Sequence, residues 1–355
     1  MSEVRVMVAG GGTAGHIEPA LAVADALRDR GAYVCALGSP KGLEKDIVPA
    51  RGYDLDLIPP VPVPRKLNMA LLRLPKGVWE AVSQAKKIMR ERRVDAVIGF
   101  GGYVSAPAYL AARQLGLPFF VHESNARAGV ANKLGVRLGG VGLNAVSGSG
   151  MPGDVVGIPL RKTLTSGEDP RVLAGRARAR WGLSSSMKTV VVTGGSQGAA
   201  SINRAIDGAV EDLVALGFQV LHAYGKNNPS PQPRKGYFPV AYIDAMAEAL
   251  AVADITVCRS GAMTVAEVTQ AGVPAIYVPL PHGNGEQALN ARGVVNAGGA
   301  IMIDDADLSA QAIVDAVSAM ADPERYEVAR AAVASCCSDD AAGEIAARVL
   351  ASVKR

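Results

Sequence analysis

The sequence predicts an α/β protein built as two Rossmann-like parallel-sheet domains facing a cleft, and three observations lead there. Its 355 residues make two domains at roughly 150 residues each. Short Val-rich runs alternate with helix-length segments, because each parallel connection needs a crossover long enough to hold a helix. The pattern also restarts midway. VRVMVAGGGTAGHIEPALAVADAL from Val4 is echoed by KTVVVTGGSQGAASINRAIDGAV from Lys188, each a strand, a Gly-rich turn and a helix opening at the turn.

Taken in order, residues 4–9, 33–37, 95–99 and 118–122 are apolar runs of strand length, with a helical segment at 19–28 between the first two. A Gly- and Pro-rich region at 139–159 then interrupts the rhythm. Strands resume at 189–193, 219–223, 255–258 and 275–278.

An apolar content of 49% suffices for two cores and excludes an intrinsically disordered chain. No run of about 18 apolar residues encodes a membrane-spanning helix. The N-terminal MSEVRVMVAGGG lacks the basic flank, apolar core and cleavage site of a secretory signal, so the chain is expected in the cytosol. Cys35, Cys258, Cys336 and Cys337 are scattered, without CxxC spacing or a nearby His, and read as reduced thiols. The net charge of +4 is unevenly spread. Between Arg65 and Arg93 nine basic residues stand against Glu80 and Glu91, a net +7, so the rest of the chain carries −3.

Gly10, Gly12 and Gly15 satisfy GxGxxG after a strand and before a helix, where backbone can approach a phosphate that meets the helix N-terminus. A nicotinamide site would also want an acidic residue at the end of the second strand. That strand ends in Leu37, Gly38 and Ser39 instead, which leaves a phosphate-facing or a purely structural turn as the other readings. The second turn, residues 194–198, fits GxSxG. Ser196 could be a hydrolase nucleophile with Asp254 and His282, or a donor in a second anion cradle, the reading that the parallel with the first turn favours. His16, at the opening of the first helix, could act as a general base, donate to phosphate, or cap and pack. A helix N-terminus disfavours the imidazolium, as a base requires.

Farther along, Glu267 lies one to two turns into a helix opening after Arg259 and Ser260, and an ordinary surface Glu is the alternative to a ligand. The polar loop at 279–287 leads to Gln287 and Asn290, which could read sugar hydroxyls, since ligands of α/β proteins gather at strand ends. In the basic segment, Leu67, Met69, Leu71, Leu72 and Leu74 interleave with Arg65, Lys66, Arg73 and Lys76, while Val78, Val82, Ala85 and Met89 share a core face. An anionic membrane surface would attract such a stretch at about 1 kcal/mol per basic residue, and a solvated basic face is the alternative. Few aromatics and no binding motif argue against nucleic acid.

GGGTAGHIEPALA at Gly10, FGGYVSAP at Phe100, HESN at His122, GGSQGA at Gly194, CRSGAMTVAE at Cys258 and GNGEQALNA at Gly283 together resemble the MurG family of bacterial N-acetylglucosaminyltransferases of peptidoglycan synthesis. The motifs run in family order over nearly the whole chain. The resemblance implies a GT-B enzyme that moves N-acetylglucosamine, with inversion, from UDP-GlcNAc to lipid I, giving lipid II. It implies no cofactor and no metal, and a peripheral place on the cytoplasmic side of the cell membrane, with the cell-wall or division machinery as further partners. Residues 1–158, rejoined by a C-terminal helix at 341–355, would be the acceptor and membrane-associating domain, and residues 159–340 the UDP-GlcNAc domain.

By the same resemblance, Ser196 and neighbouring amides would face the donor diphosphate, Ile243 the uracil and Glu267 the ribose. Ala262, Met263, Thr264, Val265 and Ala266 would line that pocket, and Gln287 with Asn290 would meet the sugar. Thr13, Ala14, Gly15, Asn125 and Arg161 would approach from the N-terminal half, the first Gly-rich turn would face the lipid pyrophosphate, and His16 would be the base. Ala14, Ser124, Ile158 and Glu286 depart from the family's commonest residues, Ala14 putting in doubt a close phosphate approach and Glu286 one sugar contact.

Overall fold

A computed structural model describes residues 3–61, 69–165, 167–282, 285–337 and 340–353. The chain divides into two compact units, Met1–Arg161 with Ser338–Arg355, and Lys162–Cys337. The divisions fall three residues later than 158 and three earlier than 340, for local reasons. Leu160 is still buried, and Arg161 pairs with Glu18 of the first unit. Asp340 caps the C-terminal helix by accepting from the Gly343 amide.

The first unit runs β1 (Arg5–Ala9), α1 (Ala14–Arg28), β2 (Tyr33–Gly38), α2 (Glu44–Ala50), β3 (Asp54–Leu57), α3 (Met69–Glu91), β4 (Ala96–Gly99), α4 (Ser105–Leu115), β5 (Phe119–Glu123), α5 (Val130–Arg137), β6 (Val141–Asn144) and β7 (Asp154–Val155). The second runs α6 (Lys162–Thr165), α7 (Pro170–Trp181), β8 (Lys188–Thr193), α8 (Ala200–Ala215), β9 (Phe218–Ala223), β10 (Tyr237–Val240), α9 (Met246–Val252), β11 (Ile255–Cys258), α10 (Ala262–Gln270), β12 (Ala275–Tyr277), α11 (Glu286–Asn296), β13 (Ala300–Met302), α12 (Ala310–Ala321) and α13 (Pro323–Ser335). α14 (Ala341–Ser352) returns to the first unit.

The first sheet has seven parallel strands in the order β3-β2-β1-β4-β5-β6-β7, and the second has six in the order β10-β9-β8-β11-β12-β13. Strand alternation feeds two core layers in each. In β1, Val6 and Val8 pack with Ile17 and Leu21 of α1 and Ile345 and Val349 of α14, while Met7 and Ala9 pack with Val82 and Met89 of α3 and Tyr109 of α4. In β8, Val190 and Val192 face Ile202 and Ile206 of α8, and Val191 faces Leu221 and Ala249. Both strand orders reverse direction beside the first strand of the unit, between β1 and β4 and between β8 and β11. Ligands of such sheets bind at the carboxyl ends of the strands at that switch point.

Candidate active site

In the first unit the switch point holds the turn from Gly10 to Thr13. Gly12 takes φ +88°, a conformation costly for a residue with a side chain, and Thr13 starts α1 with extended backbone. The carbonyl of Thr13 accepts from the amides of His16 and Ile17, which fixes the first turn of α1 and with it Ala14, Gly15 and His16. The half-buried His16 ring lies with Nδ1 3.2 Å from both the Gly11 carbonyl and Thr13 Oγ1. A carbonyl only accepts, so Nδ1 carries the proton and a neutral ring keeps its lone pair on Nε2. A methyl group on Gly101, in the turn after β4, would sit 3.1 Å from Nε2. Glycine there, at φ +95°, leaves that nitrogen room. Burial pushes His16 below its ordinary value, against the Gly11 hydrogen bond and the Glu123 and Glu44 carboxylates, which pull it up.

Around this ring stands a buried polar frame. Ser105 Oγ donates to the carbonyls of Ala9 and Gly101 and accepts from the Gly101 amide, tying β1 to the β4 turn. Glu123, at the end of β5, accepts from the Asn125 amide and Nδ2 with one oxygen, and from the Gly129 amide and Asn132 Nδ2 with the other. Asn125 is thereby held beside the ring's acidic neighbour. Arg161 stands beside α1, its Nε 3.6 Å from Glu18.

In the second unit Ser196 is exposed in a turn made by Gly195 (φ +83°) and Gly198 (φ +72°), and the Gly198 amide closes it onto the Gly195 carbonyl. This turn follows β8, and its neighbour β11 leads to α10. Met263 and Thr264 share a helix face with Glu267, which is 8% exposed, whereas Val265 goes into the core beneath with Val268 and Tyr277. Ala262 is buried at the same end and Ala266 is half-buried. Asn290 of α11 donates to the Ser260 carbonyl (3.3 Å) just before α10, and Gln287 accepts from the Leu280 amide (3.0 Å) in the loop after β12. Ile243 is different. The residue is 3% exposed and packs with Ala223 and Ala249.

Arg259 carries a clamp at this edge. Its guanidinium donates to the carbonyls of Val278 and Pro279, to Ser201 Oγ (2.8 Å) and to Asp305 (2.5 Å), and Ser201 also donates to Asp305. One side chain thus joins the ends of β11 and β12 to the start of α8. Burial works against the Asp305 carboxylate, but Ser201 and Arg259 hold it below the usual range. Arg259→Met is expected to cost about 2 kcal/mol, because it strips charge-assisted hydrogen bonds from groups that stay largely buried. Urea unfolding checks this, and an unchanged midpoint would contradict the clamp.

The hydrolase arrangement is excluded by topology. Asp254 accepts from the Thr189 amide at the start of β8, the opposite edge of the sheet from Ser196. The +7 segment is also partly neutralised from outside: Arg92 pairs with Asp54 and Asp56 of β3, while the two acidic residues already counted, Glu80 and Glu91, pair with Lys76 and Lys87. The expectations for Arg65, Lys66 and Leu67 lie outside the described residues. No described helix is long and apolar enough to cross a membrane, and no group of three or more described His, Cys, Asp or Glu could hold a metal ion.

Two parallel-sheet units, each opening from its first strand through a Gly-rich turn into a helix, define a GT-B glycosyltransferase. The chain belongs to glycosyltransferase family 28, whose N-terminal domain matches residues 6–138 and whose C-terminal domain matches residues 189–347. The UDP-N-acetylglucosamine--N-acetylmuramyl-(pentapeptide) pyrophosphoryl-undecaprenol N-acetylglucosamine transferase of Corynebacterium glutamicum (strain R) is 61% identical over 353 residues, 99% of each chain. The protein of that name from Mycolicibacterium smegmatis is 48% identical over 99% of this chain and 94% of its own. The crystal structure of MurG from Acinetobacter baumannii superposes with a TM-score of 0.79 at 27% identity, over 98% of this chain and 99% of the other.

Proposed function

We infer that this glycosyltransferase moves N-acetylglucosamine from UDP-GlcNAc to lipid I, the undecaprenyl-pyrophosphoryl-MurNAc-pentapeptide, and so makes lipid II. The observation that carries the reading is the 61% identity along almost the whole of two chains, one of them named for this transfer. The donor belongs to the second unit. Ser196 and the amides of its turn meet the diphosphate, Glu267 the ribose, Ile243 the uracil, and Gln287 with Asn290 the sugar. Met263 and Thr264, on the face of Glu267, line the same pocket with Ala262 and Ala266, while Val265 supports it from the core. The acceptor belongs to the first unit, at the turn that carries Thr13, Ala14, Gly15 and His16.

Inverting transfer is one displacement. His16 Nε2 takes the proton of the acceptor hydroxyl while its oxygen bonds to the anomeric carbon, and the bond from that carbon to UDP breaks. The electron pair leaves on the diphosphate, where fixed backbone amides and the Ser196 hydroxyl stabilise it without reorganising. The enzyme works peripherally on the cytoplasmic face of the cell membrane. Exposed Lys76, Trp79, Lys87 and Arg90 on α3 support that location.

The test is UDP release from UDP-GlcNAc with and without a lipid I analogue, with UDP-glucose as control donor. Acceptor-dependent release confined to the N-acetyl sugar is expected. Release that needs a different lipid acceptor would move the enzyme to a related GT-B activity, and no release from folded protein would overturn the reading.

A further inference from the structure

Glu44, the first residue of α2, is fully buried, and it forms no ion pair among the described residues. Its carboxylate fits the first Gly-rich turn. One oxygen accepts from the Gly12 amide (2.9 Å) and the other from the Ser39 amide and hydroxyl (2.8 Å each). A Cβ on Gly11 or Gly38 would come within 2.5 or 2.6 Å of its side chain, and one on Gly42 would collide with the carboxylate, so three glycines make its socket. A carboxylate is acceptor-only and matches three donors.

The Gly12 amide that Glu44 holds and the Gly11 carbonyl that holds His16 Nδ1 belong to one peptide group. Gly102, at φ +83°, closes over the same carbonyl so tightly that a Cβ there would strike it. A carboxylate, a peptide and an imidazole therefore stand in series. Negative charge at the N–H end of a peptide strengthens its carbonyl as an acceptor, because hydrogen bonds in a chain polarise one another. We infer that Glu44 is a positioning residue of the transfer reaction, which acts through the Gly11–Gly12 peptide to hold and polarise the His16 ring with Nε2 free. The inference rests on the reading of His16 as the base.

The charged groups that act on the ring are Glu44 from α2 and Glu123 from β5, and both raise its affinity for a proton. In Glu44→Gln only the Glu123 share remains. The His16 midpoint, followed by NMR in the full chain, then moves to lower pH. The acid limb of kcat moves with it, since the base must be neutral to work. A weaker base with a less fixed ring lowers kcat roughly tenfold, with KM for UDP-GlcNAc unchanged. A His16 midpoint that stays put in folded Glu44→Gln overturns the inference, as does an acid limb that stays put.

Should Glu44→Gln fail to fold, native protein still decides. The Glu44 carboxyl ¹³C resonance is expected to show an inflection at the His16 midpoint and to lose it in His16→Gln, and a resonance flat across that midpoint overturns the coupling. Absence of transfer by native enzyme would sink the proposed function instead, because the NMR readouts need no acceptor.

Discussion

His16→Ala is expected to lower kcat for acceptor-dependent UDP release roughly 10²- to 10⁴-fold, the range that a positioned general base contributes. The expectation follows from three features of one side chain. The Gly11 carbonyl fixes the proton on Nδ1, so the free lone pair is on Nε2. Gly101 leaves space at that nitrogen. Burial keeps the ring below its ordinary value of 6.5, so it is neutral at physiological pH and remains so somewhat below it. The native acid limb should accordingly lie below pH 6.5 and vanish in the variant. KM for UDP-GlcNAc should hardly change, because the donor residues proposed above lie on the second unit. Fold should survive, since the half-exposed site lets water replace the ring's contacts with Gly11 and Thr13. A folded variant that keeps native kcat would remove His16 from the chemistry.

How much of this was legible in the sequence differs from residue to residue. The two strand–turn–helix openings were plain, because a parallel strand buried on both faces reads as a Val-rich run and a phosphate-type turn needs glycine at fixed places. Helix openings were visible too, which is why His16, Ser196 and Glu267 could be singled out by position. Glu44 could not. It sits 32 residues beyond the turn that it completes, in a helix whose sequence resembles any amphipathic surface segment, and only the folding of β2 beside β1 brings it there. Asp305 is hidden likewise, 46 residues from the Arg259 that it holds. Ile243 shows the opposite limit: a position singled out by resemblance says nothing of burial, and the fold packs this residue against Ala223 and Ala249. The +7 segment shows a third. Counting charge along the chain overlooks Asp54 and Asp56, which the sheet brings to Arg92 from an earlier strand.

Stability is expected to fall as pH drops from 6.5 to 4, by about 3 kcal/mol for each of two buried histidines. His122 and His222 are held neutral, and burial pushes both down to about 4, against smaller opposing influences. At His122 the cost of burying a charge outweighs a hydrogen bond that favours the proton, and at His222 the hydrogen-bond pattern adds to that cost. His122 Nε2 donates to the Gly157 carbonyl (2.9 Å), and the ring packs 5.4 Å from Phe100. Asn203 Nδ2 donates to the Tyr224 carbonyl, so its Oδ1 accepts from His222 Nε2 (3.1 Å), and His222 Nδ1 accepts from the Tyr237 hydroxyl (2.8 Å). A second proton on that ring would displace the Tyr237 donor. The sign follows directly. Below 6.5 an unfolded imidazole takes a proton that the folded one refuses until about 4, so unfolding takes up protons and acid favours it. Above 6.5 neither state is charged, and the full contribution is present. His122 lies in the first unit and His222 in the second, so both should soften. Urea midpoints at pH 7, 6, 5 and 4 measure the slope, and His222→Gln separates this contribution from the carboxylates. The variant should be less stable at pH 7 yet lose about 3 kcal/mol less on the way to pH 4. A variant whose stability falls as steeply as that of the native chain would show that His222 carries no such proton linkage.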